Sequence, residues 1–251
     1  MKNKKIKKSI LSFIFIIIVI IGNVIFESDL KLSNKTANVS KTDNYIINSY
    51  ENIDVDRIPK YSNKPYVVIN NNKPFFTKEE INLAKDSFEK YSELDNLGRC
   101  GVAIASVGLD IMPTEKRQSI GSVKPTGWQT VKYDSVDGKY LYNRAHLIGF
   151  QLTGENANKK NLITGTRYFN VEGMLPFENM VSDYVKETKN HVLYRVTPLF
   201  YKNNLVASGV LMEAISVEDN GEGILFNIYS YNVQPGIKID YTNGKSYKIA
   251  E

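Results

Sequence analysis

Three long runs rich in β-branched and aromatic residues, Val192 to Pro198, Leu205 to Ile215 and Ile224 to Asn232, crowd the C-terminal part of the sequence. Runs of this type and length read as sheet strands, and the short connections between them favour antiparallel neighbours. The last two predict a meander. Just before them, Phe177, Met180, Val181, Tyr184 and Val185 recur at helical spacing, the stripe of an amphipathic helix over 177–189 with Pro176 in its first turn. A sheet with an apolar face needs a cover, and a one-sided helix needs a floor. The chain is therefore expected to be α+β, a central antiparallel sheet flanked by helices.

The preceding segments fill in this plan. Tyr66 to Asn70 reads as a short strand. Thr77 is a helix N-cap with Glu80 three residues on, and Ile81, Ala84, Lys85, Phe88 and Tyr91 then predict a helix over 78–92. Gly101 to Val107 predicts a strand. Val131 to Tyr133 and Tyr140 to Asn143, separated by Asp137-Gly138, predict a hairpin. Residues 113–128, with two prolines and two glycines, and the polar residues 154–161 read as loops.

The N-terminus reads differently. Residues 1–9 are lysine-rich, and Ile10 to Phe26 is a largely apolar stretch of 17 residues followed by Glu27 and Asp29. That length lies between a signal-peptide core and a short membrane span, and the flanking charges put the N-terminus in the cytoplasm. Residues 1–26 are expected to be a signal peptide or membrane anchor, with anchoring through residues 10–26. A polar linker over 27–63 and one catalytic domain over 64–251 follow. The chain is expected to be secreted or held on the outer face of the cytoplasmic membrane. The net charge of +5 comes from the five lysines of this segment, and beyond them 27 basic residues balance 27 acidic ones. A uniformly basic surface is thereby excluded, so any phosphate-binding field must be local. Cys100 is the sole cysteine and His146 and His191 are the two histidines, which excludes an intrachain disulfide and a cysteine-based structural zinc site. A catalytic ion would be hard and oxygen-bound, such as Mg²⁺. Cys100 reads as a small buried apolar residue, and His191, just past the amphipathic helix, as structural.

The chemistry concentrates between residues 140 and 180. A strand runs into His146, a loop follows, and a helical segment carries Asn170 and Glu178. Hydrolysis of a phosphodiester needs a base for water, a screen for the phosphate charge and support for the leaving oxygen. His146 titrates near neutrality and suits the base role. Asn170 offers an amide oxygen, Glu178 a carboxylate, and Arg144 and Arg167 forked donors for phosphate oxygens.

The stretch Asn143-Arg144-Ala145-His146, with Asn161 to Asn170 after it, resembles the active-site region of the DNA/RNA non-specific endonucleases of the ββα-metal fold. It is most similar to their streptodornase-like branch of Gram-positive bacteria. Leu97 to Ala103 and Pro125 to Trp128 carry the likeness upstream, so that it covers roughly residues 65–235. The resemblance implies His146 as general base and Asn170 as a direct Mg²⁺ ligand, with Mn²⁺ an acceptable substitute. It puts Glu178 where an acid holds the ion's water, and makes Arg144 part of the catalytic set. Asn161 supports the site and is grouped with Arg99 and Arg167 toward the substrate. It implies DNA and RNA as substrates and 5′-phosphate products. Two positions depart from the family's Asp-Arg-Gly-His: Asn143 removes a charge, and Ala145 forbids a backbone that needs positive φ. Pro176 interrupts what would otherwise be one helix over 170–190. Trp128, the sole tryptophan, reads as a packing residue before a base-stacking one. The competing readings are a phosphodiesterase for small esters and a nucleic-acid-binding surface protein that has lost catalysis.

Overall fold

The computed structural model describes residue 56 and residues 58–249. The expected export segment and most of the expected linker lie outside the described residues. The last residues of that linker do not behave as a tether: Ile58 is buried, and Tyr61 packs on Tyr231 at 5.7 Å between ring centroids.

The centre is a six-stranded antiparallel sheet built from β1 (Tyr66–Val68), β2 (Phe88–Tyr91), β3 (Ala103–Val107), β6 (Val192–Leu199), β7 (Gly209–Ser216) and β8 (Leu225–Tyr231). The strand order is β1-β8-β7-β6-β3-β2, so the expected meander is present as β6-β7-β8. Between β3 and β6 the chain leaves the sheet to make β4 (Tyr142–His146), the short helix α2 (Phe150–Thr153), β5 (Leu162–Thr166) and the long helix α3 (Leu175–Thr188). A small ribbon of β9 (Ile237–Ile239) and β10 (Ser246–Lys248) closes the C-terminal part.

Alternation across the sheet divides the core in two. Tyr194, Val196, Val210, Met212, Ala214, Phe226 and Ile228 point to one face, where Phe177, Val181 and Val185 of α3 cover them. This is the stripe expected of the amphipathic helix, and each such side chain removed from water stabilises the fold by roughly 1.5–3 kcal/mol. Leu211, Tyr229 and Tyr231 point to the opposite face, under Ile58 and Ile69, and Leu193 packs there with Ala84 and Ile81.

The expected helix over 78–92 is corrected. The capping box of Thr77 and Glu80 is present, but α1 spans only Lys78–Leu83, and residues 88–91 are the edge strand β2. Apolar residues at 81, 84, 88 and 91 fit a helical stripe, yet they equally fit one helical turn followed by an edge strand. The tertiary partner decides, since Phe88 to Tyr91 pair with Ser106 to Ala103 of β3. The hairpin at Asp137-Gly138 is also shorter than its sequence suggests, reduced to an isolated bridge between Lys132 and Tyr140. Residues 142–146 instead pair with 162–166, a strand that sequence patterning did not mark.

The second face holds a buried ion pair. Arg195 Nε donates to Glu213 Oε2 at 2.9 Å and Nη1 to Glu80 Oε1 at 2.8 Å, while Glu213 Oε1 accepts the Phe75 amide at 2.7 Å. Arg195 also stacks on Phe76, 4.5 Å from its centroid. These bonds fasten the 75–80 segment to β6 and β7. Removing one partner leaves an uncompensated buried charge, so Glu213→Leu is expected to cost about 3–5 kcal/mol in urea unfolding. The double variant Arg195→Met/Glu213→Leu should recover most of that loss; equal losses in both would show that the pair is not the source.

Candidate active site

Strand β4 carries the imidazole into a cavity of about 760 Å³. In the β4–β5 ribbon His146 lies opposite Leu162, Ala145 opposite Ile163 and Asn143 opposite Gly165. Ala145 is buried against the core, while Asn143, Arg144 and His146 line the cavity. Ala145 needs no positive φ, for it lies in extended strand. Its methyl has room because Gly165 stands across the ribbon: a Cβ there would come within 2.8 Å of the Ala145 Cβ.

His146 Nε2 lies 2.7 Å from the backbone oxygen of Asn156. A carbonyl can only accept, so Nε2 carries the proton and Nδ1 presents its lone pair. Nδ1 faces the Arg117 guanidinium at 3.3 Å. Burial lowers the imidazole pKa to about 4, against the Asn156 hydrogen bond that raises it and together with Arg117 that lowers it. The ring is thus neutral at physiological pH.

The loop after His146 is closed by Asn161, whose side chain is fully buried. Its Oδ1 accepts the Ile148 amide at 2.8 Å and its Nδ2 donates to the Ile148 carbonyl at 2.9 Å, while its own carbonyl accepts the Leu147 amide. Asn161 therefore holds the backbone, with Oδ1 and Nδ2 both bonded to Ile148. The ribbon is tied to the sheet by Asn232, also fully buried, which bonds the Thr166 amide and the Thr164 and Ala207 carbonyls.

Opposite the imidazole stands the helical segment. From Phe169 to Met174 the backbone makes one wide π-type turn, with the Leu175 amide bonded to the Asn170 carbonyl, and it runs directly into α3. Pro176 sits at this junction, in the first turn of α3, so it does not break the path from 169 to 188. Wide turns of this kind are frequent at functional sites. Asn170 and Glu178 both line the cavity with His146. Among the described residues neither side chain has a hydrogen-bond partner. Burial raises the Glu178 carboxyl to about 8, with Arg117 opposing. Its seat exists because residue 149 is glycine: a Cβ there would lie 2.8 Å from Glu178 Cδ and 2.9 Å from each carboxyl oxygen.

The arginines part company. Arg144 Nε and Nη2 bond the carbonyls of Val123 and Gly121, and its guanidinium stacks 4.1 Å from the Trp128 ring. It shapes the cavity wall. Arg167 lines the cavity and pairs with Asp137 at 2.8 Å. Arg99 does not line it: its guanidinium holds Asp95 and the carbonyls of Lys202 and Asn204 and stacks on Phe200. Those bonds use Nε and Nη1. Arg117 is the cation sequence reasoning missed, because it sits in a loop without periodicity, beside Lys116. Trp128 packs with Leu141 and Tyr142, His191 pairs with Glu218 at 2.6 Å, and Cys100 is buried with its thiol pushed up to about 11.

A strand, a returning strand and a helix, with an imidazole on the first strand and an amide and a carboxyl on the helix, form a ββα-metal nuclease fold. Comparisons with known proteins agree. The sequence profile of the DNA/RNA non-specific endonucleases matches residues 78–218. The crystal structure of NucA from Streptococcus agalactiae with magnesium ion bound superposes with a TM-score of 0.64 at 24% identity, covering 74% of this chain and 91% of NucA. The Sda1 nuclease with bound zinc ion gives 0.54 at 28% identity, over 65% of this chain and 82% of Sda1. A protein described as an extracellular endonuclease gives 0.53 at 19% identity, over 75% of this chain and all of its own. The chain belongs to the DNA/RNA non-specific endonuclease family. Its reaction class is phosphodiester hydrolysis in nucleic acid.

Two outcomes follow from this geometry. The backbone at Gly149 (φ −59, ψ 141) suits any residue. Gly149→Ala should therefore fold normally yet displace Glu178, lowering the nicking rate by roughly 100-fold; an unchanged rate would show that Glu178 needs no such seat. The depressed pKa of His146 contributes stability that is present above pH 6.5 and lost as pH falls through about 4. In EDTA, the stability gap between the parent and His146→Asn should narrow by about 3 kcal/mol from pH 7 to pH 4; a constant gap would contradict the burial argument.

Proposed function

We propose that this protein is an exported, metal-dependent endonuclease that cuts DNA and RNA with little regard for sequence, with His146 as general base. The observation that carries this reading is a neutral imidazole that shares a cavity with Arg117 and with an amide and a buried carboxyl that have no hydrogen-bond partner among the described residues.

His146 takes a proton from water at Nδ1, because Nε2 donates to the Asn156 carbonyl; the attacking water takes the place of the Arg117 contact on Nδ1. Burial keeps the ring neutral and so ready to accept that proton. Arg117 lies beside the base and bears on both His146 and Glu178, where it can hold a phosphate oxygen and offset the charge that grows during attack. Arg167 extends the cationic wall. Phosphate contacts of this sort carry little sequence information, in keeping with low selectivity. Arg144 lines the same cavity and fixes residues 121–128 by its carbonyl bonds and its stack on Trp128.

Asn170 and Glu178 would hold the divalent cation. Their oxygens suit a hard ion, Mg²⁺ first and Mn²⁺ as a substitute, and a buried carboxyl without a hydrogen bond is a group that an ion would satisfy. Among the described residues no three His, Cys, Asp or Glu side chains cluster. When bound, the ion screens the phosphate charge and stabilises the departing 3′ oxygen. Magnesium is bound in NucA and zinc in Sda1, which supports a divalent site of this kind here. Hydrolysis in this sense leaves 5′-phosphate ends.

Export rests on the lysine-rich start and the apolar stretch Ile10 to Phe26. Among the described residues no helix is long and apolar enough to cross a membrane.

Purified protein should nick supercoiled plasmid and degrade RNA when Mg²⁺ is added, and stop in EDTA. His146→Ala should slow nicking by roughly 10²–10⁴-fold. Asn170→Ala should raise the Mg²⁺ needed for half-maximal rate by more than about tenfold. Hydrolysis of small phosphate esters without any nicking, or full activity in His146→Ala, would overturn the reading.

A further inference from the structure

Resting on that reading, we propose that Tyr140 is a stacking platform for an unpaired base next to the scissile phosphate, which makes single strands the better-held substrate. The sequence offers Trp128 as the obvious stacking ring, but its place in the fold is already taken. The Arg144 guanidinium covers it at 4.1 Å, and it packs with Val136, Leu141, Tyr142 and Ile237. Tyr140 shares the same cavity wall and remains 48% exposed.

A single exposed tyrosine is ordinary. Three observations set this one apart. It opens onto the cavity that also holds His146, Asn170 and Glu178. Its backbone is fixed, by the bridge to Lys132 and by its amide bond to the Gly138 carbonyl, so the ring is presented from a closed turn. It stands among cations: the Lys132 ammonium lies over one face of the ring, 4.4 Å from its centroid, so that a base would take the other face, and Arg167 lines the same cavity.

Cations interleaved with an aromatic face are what a single strand requires, phosphates on the charges and a base on the ring. A duplex keeps its bases stacked on one another and cannot offer one to Tyr140 without unstacking it. A ring face accepts any of the four bases, so the platform adds affinity without adding sequence preference. The Tyr140 hydroxyl makes no hydrogen bond among the described residues, so the platform depends on the ring alone.

The test compares cleavage of a single-stranded oligonucleotide with cleavage of the same sequence as a duplex, in Mg²⁺. Tyr140→Ala should raise KM for the single strand at least roughly fivefold with kcat little changed, and leave the duplex KM nearly unmoved. Tyr140→Phe should behave as the parent, whereas Tyr140→Leu, which keeps apolar bulk without a π face, should behave as alanine. In EDTA, fluorescence anisotropy should show that one abasic position weakens binding of the oligonucleotide to the parent but not to Tyr140→Ala. Equal losses on both substrates, or leucine matching phenylalanine, would overturn the platform while the nuclease reading stands. A parent that cuts neither substrate would overturn the nuclease reading, and the anisotropy comparison would then decide the platform alone, with no abasic effect counting against it.

Discussion

The hydrogen bond from His146 Nε2 to the Asn156 carbonyl is the contact on which the site depends. A carbonyl has no proton to give, so this bond selects one tautomer and turns the lone pair of the other nitrogen toward Arg117 on the cavity wall. It can form only if residues 146 and 156 come back together across an intervening loop. Asn161 closes that loop by bonding both the amide and the carbonyl of Ile148. Asn232, just past the end of β8, then ties β5 down by bonding the Thr166 amide and the Thr164 and Ala207 carbonyls. The orientation of one ring is thus carried through two buried carboxamides to the central sheet, which is how a functional group is held closely enough to matter.

The other wall is set by a local irregularity in a helix. Pro176 has no amide proton for a helical bond. The wide turn from Phe169 to Met174 precedes it and carries the chain into α3 without a break. Asn170 rides on that turn and Glu178 on the first turn of α3. Glu178 is buried in a pocket that exists because Gly149 contributes no side chain. A carboxyl so placed, without a hydrogen bond among the described residues, is unfavourable when charged unless a cation comes to it.

The two departures from the family's Asp-Arg-Gly-His have different consequences. Ala145 is absorbed structurally, because Gly165 across the ribbon leaves space for its methyl and the strand needs no unusual backbone. Asn143 faces the cavity and leaves it one negative charge poorer than an aspartate would. Neither change touches the imidazole or its carbonyl partner.

By itself the sequence determined the sheet meander of the last three long strands, the amphipathic helix that covers it and the capping box at Thr77, because periodicity and capping are local properties. It also marked His146, Asn170 and Glu178 as a set. Tertiary structure decided the rest. Residues 88–91 became strand because β3 offered them partners, and Leu162 to Thr166 became strand because Tyr142 to His146 lay alongside. Arg99 and Asn161 met backbone and carboxylate partners that no spacing reveals. Arg117, Gly149 and the Asn156 carbonyl entered the site from loops and through a backbone atom. Side-chain type along a chain records what can react; only the folded backbone settles which of those groups meet.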